Sequence, residues 1–147
     1  MVSTLYSLSL HTLEWTRVWP RDADESGATD KRDSRGPSAR YFHTAEAWQD
    51  KLVIFGGESY SETEKGEDDA PSLVTLSDIC IWDTKSEKWS FPEPTCAEGI
   101  QRPKARYAHL AVICSAHAAV SEKTADVMAI LGGQNVKNSC RPADQVR

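Results

Sequence analysis

The chain has 147 residues, a formal net charge of -5, 39% hydrophobic and 27% charged residues. That allows one domain of ordinary size and excludes a chain kept unfolded by its composition. Its acidity argues against nucleic acid as the main partner, and no apolar run approaches the roughly 20 residues that span a bilayer, so membrane insertion is not expected.

Met1 to Leu10 has no basic region and no continuous apolar stretch, so no signal peptide is expected. Tyr6, Leu8 and Leu10 alternate there with Ser7 and Ser9, the period of a strand. A turn leads to Trp15, and a polar stretch runs from Arg21 to Gly36. Lys51-Leu52-Val53-Ile54-Phe55 is a compact β-rich run stopped by Gly56-Gly57. Glu58 to Leu76 reads as an acidic loop. Ile79-Cys80-Ile81-Trp82 is a further strand, followed by the turn chemistry of Asp83-Thr84-Lys85-Ser86 and then Trp89. After another long segment, Glu93 to Pro103, come the strands Leu110 to Cys114 and Val127 to Leu131, the second stopped by Gly132-Gly133. Ser115 to Asp126 reads as a long connection between them, and residues 136–147 form a tail without pattern. Short strands with Gly and Pro punctuation and no long helical period make the class all-β.

The cysteines, Cys80, Cys96, Cys114 and Cys140, form no C-x-x-C pair. Reduced thiols in an intracellular, cytoplasmic protein are expected.

The chain repeats itself. Ala39-Arg40-Tyr41-Phe42-His43 matches Ala105-Arg106-Tyr107-Ala108-His109, and Ile54-Phe55-Gly56-Gly57 matches Ile130-Leu131-Gly132-Gly133. Ser9 to Trp15 and Asp83 to Trp89 share one spacing, and the matches keep their order along the chain. This order resembles the kelch repeat, whose unit is a four-stranded antiparallel blade of a β-propeller. Ile81-Trp82-Asp83 imitates the closing dipeptide of the WD propeller, but no Gly-His opens a repeat here. The kelch resemblance implies strands three and four of a preceding blade in 1–20, a central blade in 36–92, and strands one and two of a following blade in 103–135. The central strands are expected at about 39–48, 51–57, 78–84 and 88–92. Propellers have four to eight blades, so this is an incomplete propeller whose remaining blades lie outside the chain, or one that copies of the chain complete as a ring.

Recurrence at equivalent positions assigns Arg40, Tyr41, His43, Arg106, Tyr107 and His109 to the repeat, not to catalysis, because a reaction happens at one place. Gly56, Gly57, Gly132 and Gly133 supply unusual dihedrals or close approach. Trp15 and Trp89 are expected as apolar anchors between a blade and its neighbour. No Ser-His-Asp order, phosphate loop or H-E-x-x-H is present, and neither a cofactor nor a metal is expected. The resemblance also admits propeller enzymes, such as copper oxidases similar to galactose oxidase, as the alternative.

In an antiparallel blade the turns at Gln49-Asp50 and Lys85-Ser86 share one face, while the long segments fall on the other. Loops on a rigid scaffold are where binding residues tend to lie. Glu58, Glu62, Glu64, Glu67, Asp68 and Asp69, with Tyr60 and against Lys65 alone, make that loop the candidate site for a protein partner of basic character. What the resemblance implies is a non-enzymatic interaction scaffold, in settings such as cell polarity, the cytoskeleton, Ras pathways or ubiquitin-ligase adaptors.

Overall fold

A computed structural model describes residues 3–20, 36–65, 71–117 and 124–135. The described elements are all strands and every pairing is antiparallel. Strand β1 (Leu5–Leu8) pairs with β2 (Trp15–Trp19). A four-stranded sheet follows from β3 (Thr44–Trp48), β4 (Lys51–Phe55), β7 (Ile79–Asp83) and β8 (Lys88–Ser90), in the order β3-β4-β7-β8. Between β4 and β7 the chain makes a separate hairpin of β5 (Glu58–Lys65) and β6 (Pro71–Thr75). The last pair is β9 (Leu110–His117) with β10 (Thr124–Leu131). No sheet closes on itself among the described residues.

The central sheet sits between two hairpins, one on each face. On β4, Val53, Ile54 and Phe55 are buried in succession, which a strand shows only when both its faces are covered. Leu52 and Ile54 face a cleft shared with Leu5 and Trp19 of the first hairpin. Phe55 and Ile79 face Met128 and Ile130 of the last. Trp82 and Cys80 of β7 complete the core. Each large apolar side chain buried this way contributes roughly 1.5–3 kcal/mol from area removed from water, an upper bound. Strands β3 and β9 lie side by side, so the two strands that follow the Arg-Tyr-x-His motifs are neighbours.

The four-stranded antiparallel sheet runs from Thr44 to Ser90. Its first strand begins at Thr44 and not near 39, because Phe42 takes a left-handed backbone, φ +55°, that interrupts the ladder. Ala108, φ +51°, delays β9 to Leu110 in the same way. The acidic "loop" from Glu58 to Leu76 is a β-hairpin: Ser59 pairs with Val74 and Tyr60 with Leu73. Its charges and Pro71 hid it, since strand preference reflects the surface a strand must fit, and a two-stranded hairpin accepts a polar one. Within Ser115 to Asp126, residues 115–117 and 124–126 are strand, with Thr124 opposite His117. The polar stretch 21–35, the positions 66–70 and 118–123, and the tail 136–147 with Cys140 lie outside the described residues.

Candidate functional site

The two Arg-Tyr-x-His/Gly-Gly motifs build the same object twice. Arg40 Nε donates to the Ser38 carbonyl at 3.2 Å and its Nη1 to the Gly56 carbonyl at 3.1 Å. Arg106 repeats this on Lys104 at 3.1 Å and Gly132 at 2.8 Å. Tyr41 exchanges both main-chain hydrogen bonds with Glu58, as Tyr107 does with Gln134. Ser59 Oγ donates to Ala39 O at 2.9 Å, and Asn135 Nδ2 to Ala105 O at 2.8 Å. A Cβ on Gly57 (φ +96°) would stand 2.8 Å from Tyr41 O, and one on Gly133 (φ +90°) 2.9 Å from Tyr107 O, so the strand crossing there admits only glycine.

A second duplicated feature is the turn before each tryptophan. Leu13 N bonds Ser9 O and Glu87 N bonds Asp83 O, both at 2.8 Å, with Leu13 and Glu87 at φ +59° and +53°. The side chains of Ser9 and Asp83 cap main-chain amides inside these turns. Trp89 packs edge-on against Trp19 at 6.2 Å and tilted against Trp82 at 5.2 Å. Trp15, expected as the equivalent anchor, is 68% exposed at the turn end of β2, and the hairpin's contact with the sheet runs through Trp19.

The second motif clasps the first. Gly57 N donates to Arg106 O at 2.9 Å, Arg106 N to Leu76 O at 3.0 Å, and Ala108 N to Phe42 O at 2.9 Å. His109 Nε2 lies 2.7 Å from Thr44 Oγ1, and its ring stands edge-on to Phe55 at 5.3 Å. Its Nδ1 is buried with no hydrogen-bond partner among the described residues. Burial first, then the charges of Arg106 and His43, hold the His109 imidazole below its usual pKa. Burial and Arg40 do the same to His43.

Arg40 and Asp78 form a two-pronged ion pair at 2.8 and 2.9 Å. Burial pulls the guanidinium toward neutrality, but the bonds to Asp78 and the nearby negative groups outweigh it and raise its pKa. Burial likewise pushes the Asp78 carboxyl up, and Arg40 brings it net below the usual range. Cys80 donates its thiol proton to Asp78 at 3.3 Å; burial above all pushes that thiol up to about 12. Asp78 breaks the repeat, because Arg106 has no counterpart to it among the described residues. Ser59 and Asn135 stand two places beyond their second glycines, a match of position and polarity without identity.

The tight turns share one end of the sheet: Lys85 Nζ lies 2.6 Å from Asp50 Oδ2, and Thr84 N donates to Asp50 O. The β5–β6 hairpin leaves from the other end. Of the candidate partner-binding residues, Glu58 is a correction: it is only 6% exposed, because it pairs with both Tyr41 and Thr75. Tyr60 is 48% exposed opposite Leu73. Glu62 and Glu64 lie on β5, while Glu67, Asp68 and Asp69 lie outside the described residues. Among the described residues no group of three or more His, Cys, Asp or Glu side chains is placed to hold a metal ion.

No protein-family model matches the chain. It is similar to a curated protein, Protein ral2 of Schizosaccharomyces pombe (strain 972 / ATCC 24843), at 30% identity over 90 residues. That match covers 61% of this chain and 12% of ral2, so the chain spans a small part of the relative it matches.

Proposed function

We propose that this chain is part of a kelch-type β-propeller that serves as a non-enzymatic, cytoplasmic protein-interaction scaffold, with the remaining blades outside the chain. The observation that carries the reading is the doubled motif: two units with the same arginine bonds, tyrosine bridges and glycine dihedrals, packed side by side through β3 and β9. In a propeller the first strands of successive blades line the axis and the sheets stack face to face. The central sheet lying between two hairpins supports that arrangement. The similarity to ral2 is compatible with it and assigns no partner.

The end of the sheet that carries the β5–β6 hairpin is the proposed partner face, and its acidic residues call for a basic partner. Replacing Glu62, Glu64 and Glu67 by Gln together with Asp68 and Asp69 by Asn is expected to weaken capture of protein partners in a pulldown. Unchanged capture would reject this face. Stoichiometric copper or iron in the purified protein would overturn the non-enzymatic part of the proposal.

A further inference from the structure

One position inside the doubled motif differs in a way the fold does not require. Phe42 and Ala108 share the same left-handed backbone, φ +55° and +51°. That conformation disfavours a bulky side chain, and Ala108 demonstrates that a methyl group suffices for the motif. Phe42 is nonetheless 60% exposed, so it is not there to fill a core. Its ring meets Tyr41 edge-on at 5.0 Å and stacks at 29° on Tyr107, 6.2 Å away. Tyr41 bridges Glu58, and Tyr60 stands two places further along the same strand, so its side chain leaves on the same side of the ladder as that of Glu58. Tyr60 in turn is paired in register with exposed Leu73.

We propose that Tyr41, Phe42 and Tyr107, extended by Tyr60 and Leu73, form an aromatic platform that docks an extended protein segment through its arginine side chains. The inference rests on the basic-partner reading above and adds the group that is recognised. The occupant is argued from charge: the hairpin sequence 58–69 carries five acids besides buried Glu58, against Lys65 alone. Aromatic faces attract a cation, and a planar guanidinium stacks on them better than an ammonium does. A hairpin sequence of that charge would repel a nucleic-acid backbone and give a purely apolar segment no reason to prefer this place.

The test is fluorescence anisotropy on the full chain, with a fluorescein-labelled peptide alternating arginine and glycine. The controls are the same peptide with citrulline for arginine and a labelled oligo-dT. Phe42→Ala installs the residue the sister motif already carries, so it should fold, as far-UV circular dichroism and melting would check. Phe42→Leu keeps apolar area but removes the π face. The platform predicts that the arginine peptide binds and the citrulline peptide binds at least about ten-fold more weakly. Both variants should weaken the arginine peptide about five-fold at unchanged melting temperature, the size of one exposed cation–π contact. Equal binding by Phe42→Ala, by Phe42→Leu or by the citrulline peptide overturns the platform, as does tighter binding of oligo-dT. If neutralising the hairpin acids abolishes binding while Phe42→Ala does not, the acidic face stands and the platform falls. Absence of any arginine-peptide binding removes both, and leaves the scaffold reading to its own pulldown.

Discussion

Gly56 and Gly132 are equivalent glycines with nearly the same backbone, φ +63° and +70°, and different surroundings. Alanine at either site places an L-residue in the left-handed region, at about 1–2 kcal/mol. At Gly132 the new Cβ meets nothing within 4 Å among the described residues, so the loss should stop there. At Gly56 the Cβ would stand 2.6 Å from Arg106 O, 3.2 Å from His109 Cε1 and 3.3 Å from Leu76 O. The first contact is with main chain, which cannot swing aside, so the second motif must lift off the first. That weakens the Gly57–Arg106 and Arg106–Leu76 hydrogen bonds, each contributing about 1 kcal/mol net. Gly56→Ala should therefore cost about 3–4 kcal/mol and Gly132→Ala about 1–2. The roughly 2 kcal/mol between them reports the clasp between the two motifs. Urea unfolding followed by tryptophan fluorescence measures both, and a difference of this size is large against the 5–15 kcal/mol of a typical domain. Equal losses at the two glycines would refute the docking of one motif on the other.

Trp89→Ala removes a ring that packs on Trp19 and Trp82 and should cost about 2–3 kcal/mol in the same assay. Trp89→Phe should cost about 1 kcal/mol or less, because the buried indole N–H it deletes has no partner among the described residues; comparable losses would mean the ring is not an anchor. The depressed pKa of His109 fixes a sign: its contribution is full above the ordinary imidazole value near 6.5 and is lost as pH falls below it, where the unfolded chain takes up the proton first. Unfolding at pH 7.5 and 5.5 should show the wild type losing stability on acidification and His109→Gln losing less; parallel losses would remove His109 as a cause. Thiol labelling of the native chain, mapped by mass spectrometry, should modify exposed Cys96 and Cys114 and spare Cys80, which is fully buried with its thiol pKa pushed up to about 12. Rapid labelling of Cys80 would mean that the central sheet opens.

The parts of the fold legible in the sequence were those that recur. The second glycine of each Gly-Gly pair marks a crossing where any Cβ would strike a tyrosine carbonyl, so the requirement is local and leaves the same residue each time. The strands from Lys51 to Phe55 and Ile79 to Asp83 announce themselves by unbroken apolar runs, because both their faces are covered. The β5–β6 hairpin was hidden because its pairing is held by main-chain bonds and asks little of its side chains. The aromatic cluster was hidden for another reason. Phe42 and Tyr107 are 65 positions apart, and only the clasp between the motifs brings their rings together. Trp19 escaped because the match of spacing selected Trp15, while the contact selected the residue nearest the sheet. Matched residues thus identified the scaffold, and the unmatched residue at a matched position, Phe42, became the candidate for function.

The claim on which the rest depends is that the second motif hydrogen-bonds onto the first. Amide hydrogen exchange, read by NMR on the full chain, tests it at two equivalent amides: Gly57 donates to Arg106 O, and Gly133 has no such acceptor among the described residues. A clasp between the motifs predicts strong protection at Gly57 and exchange at least tenfold faster at Gly133. Equal rates at the two glycines, or faster exchange at Gly57, would contradict it.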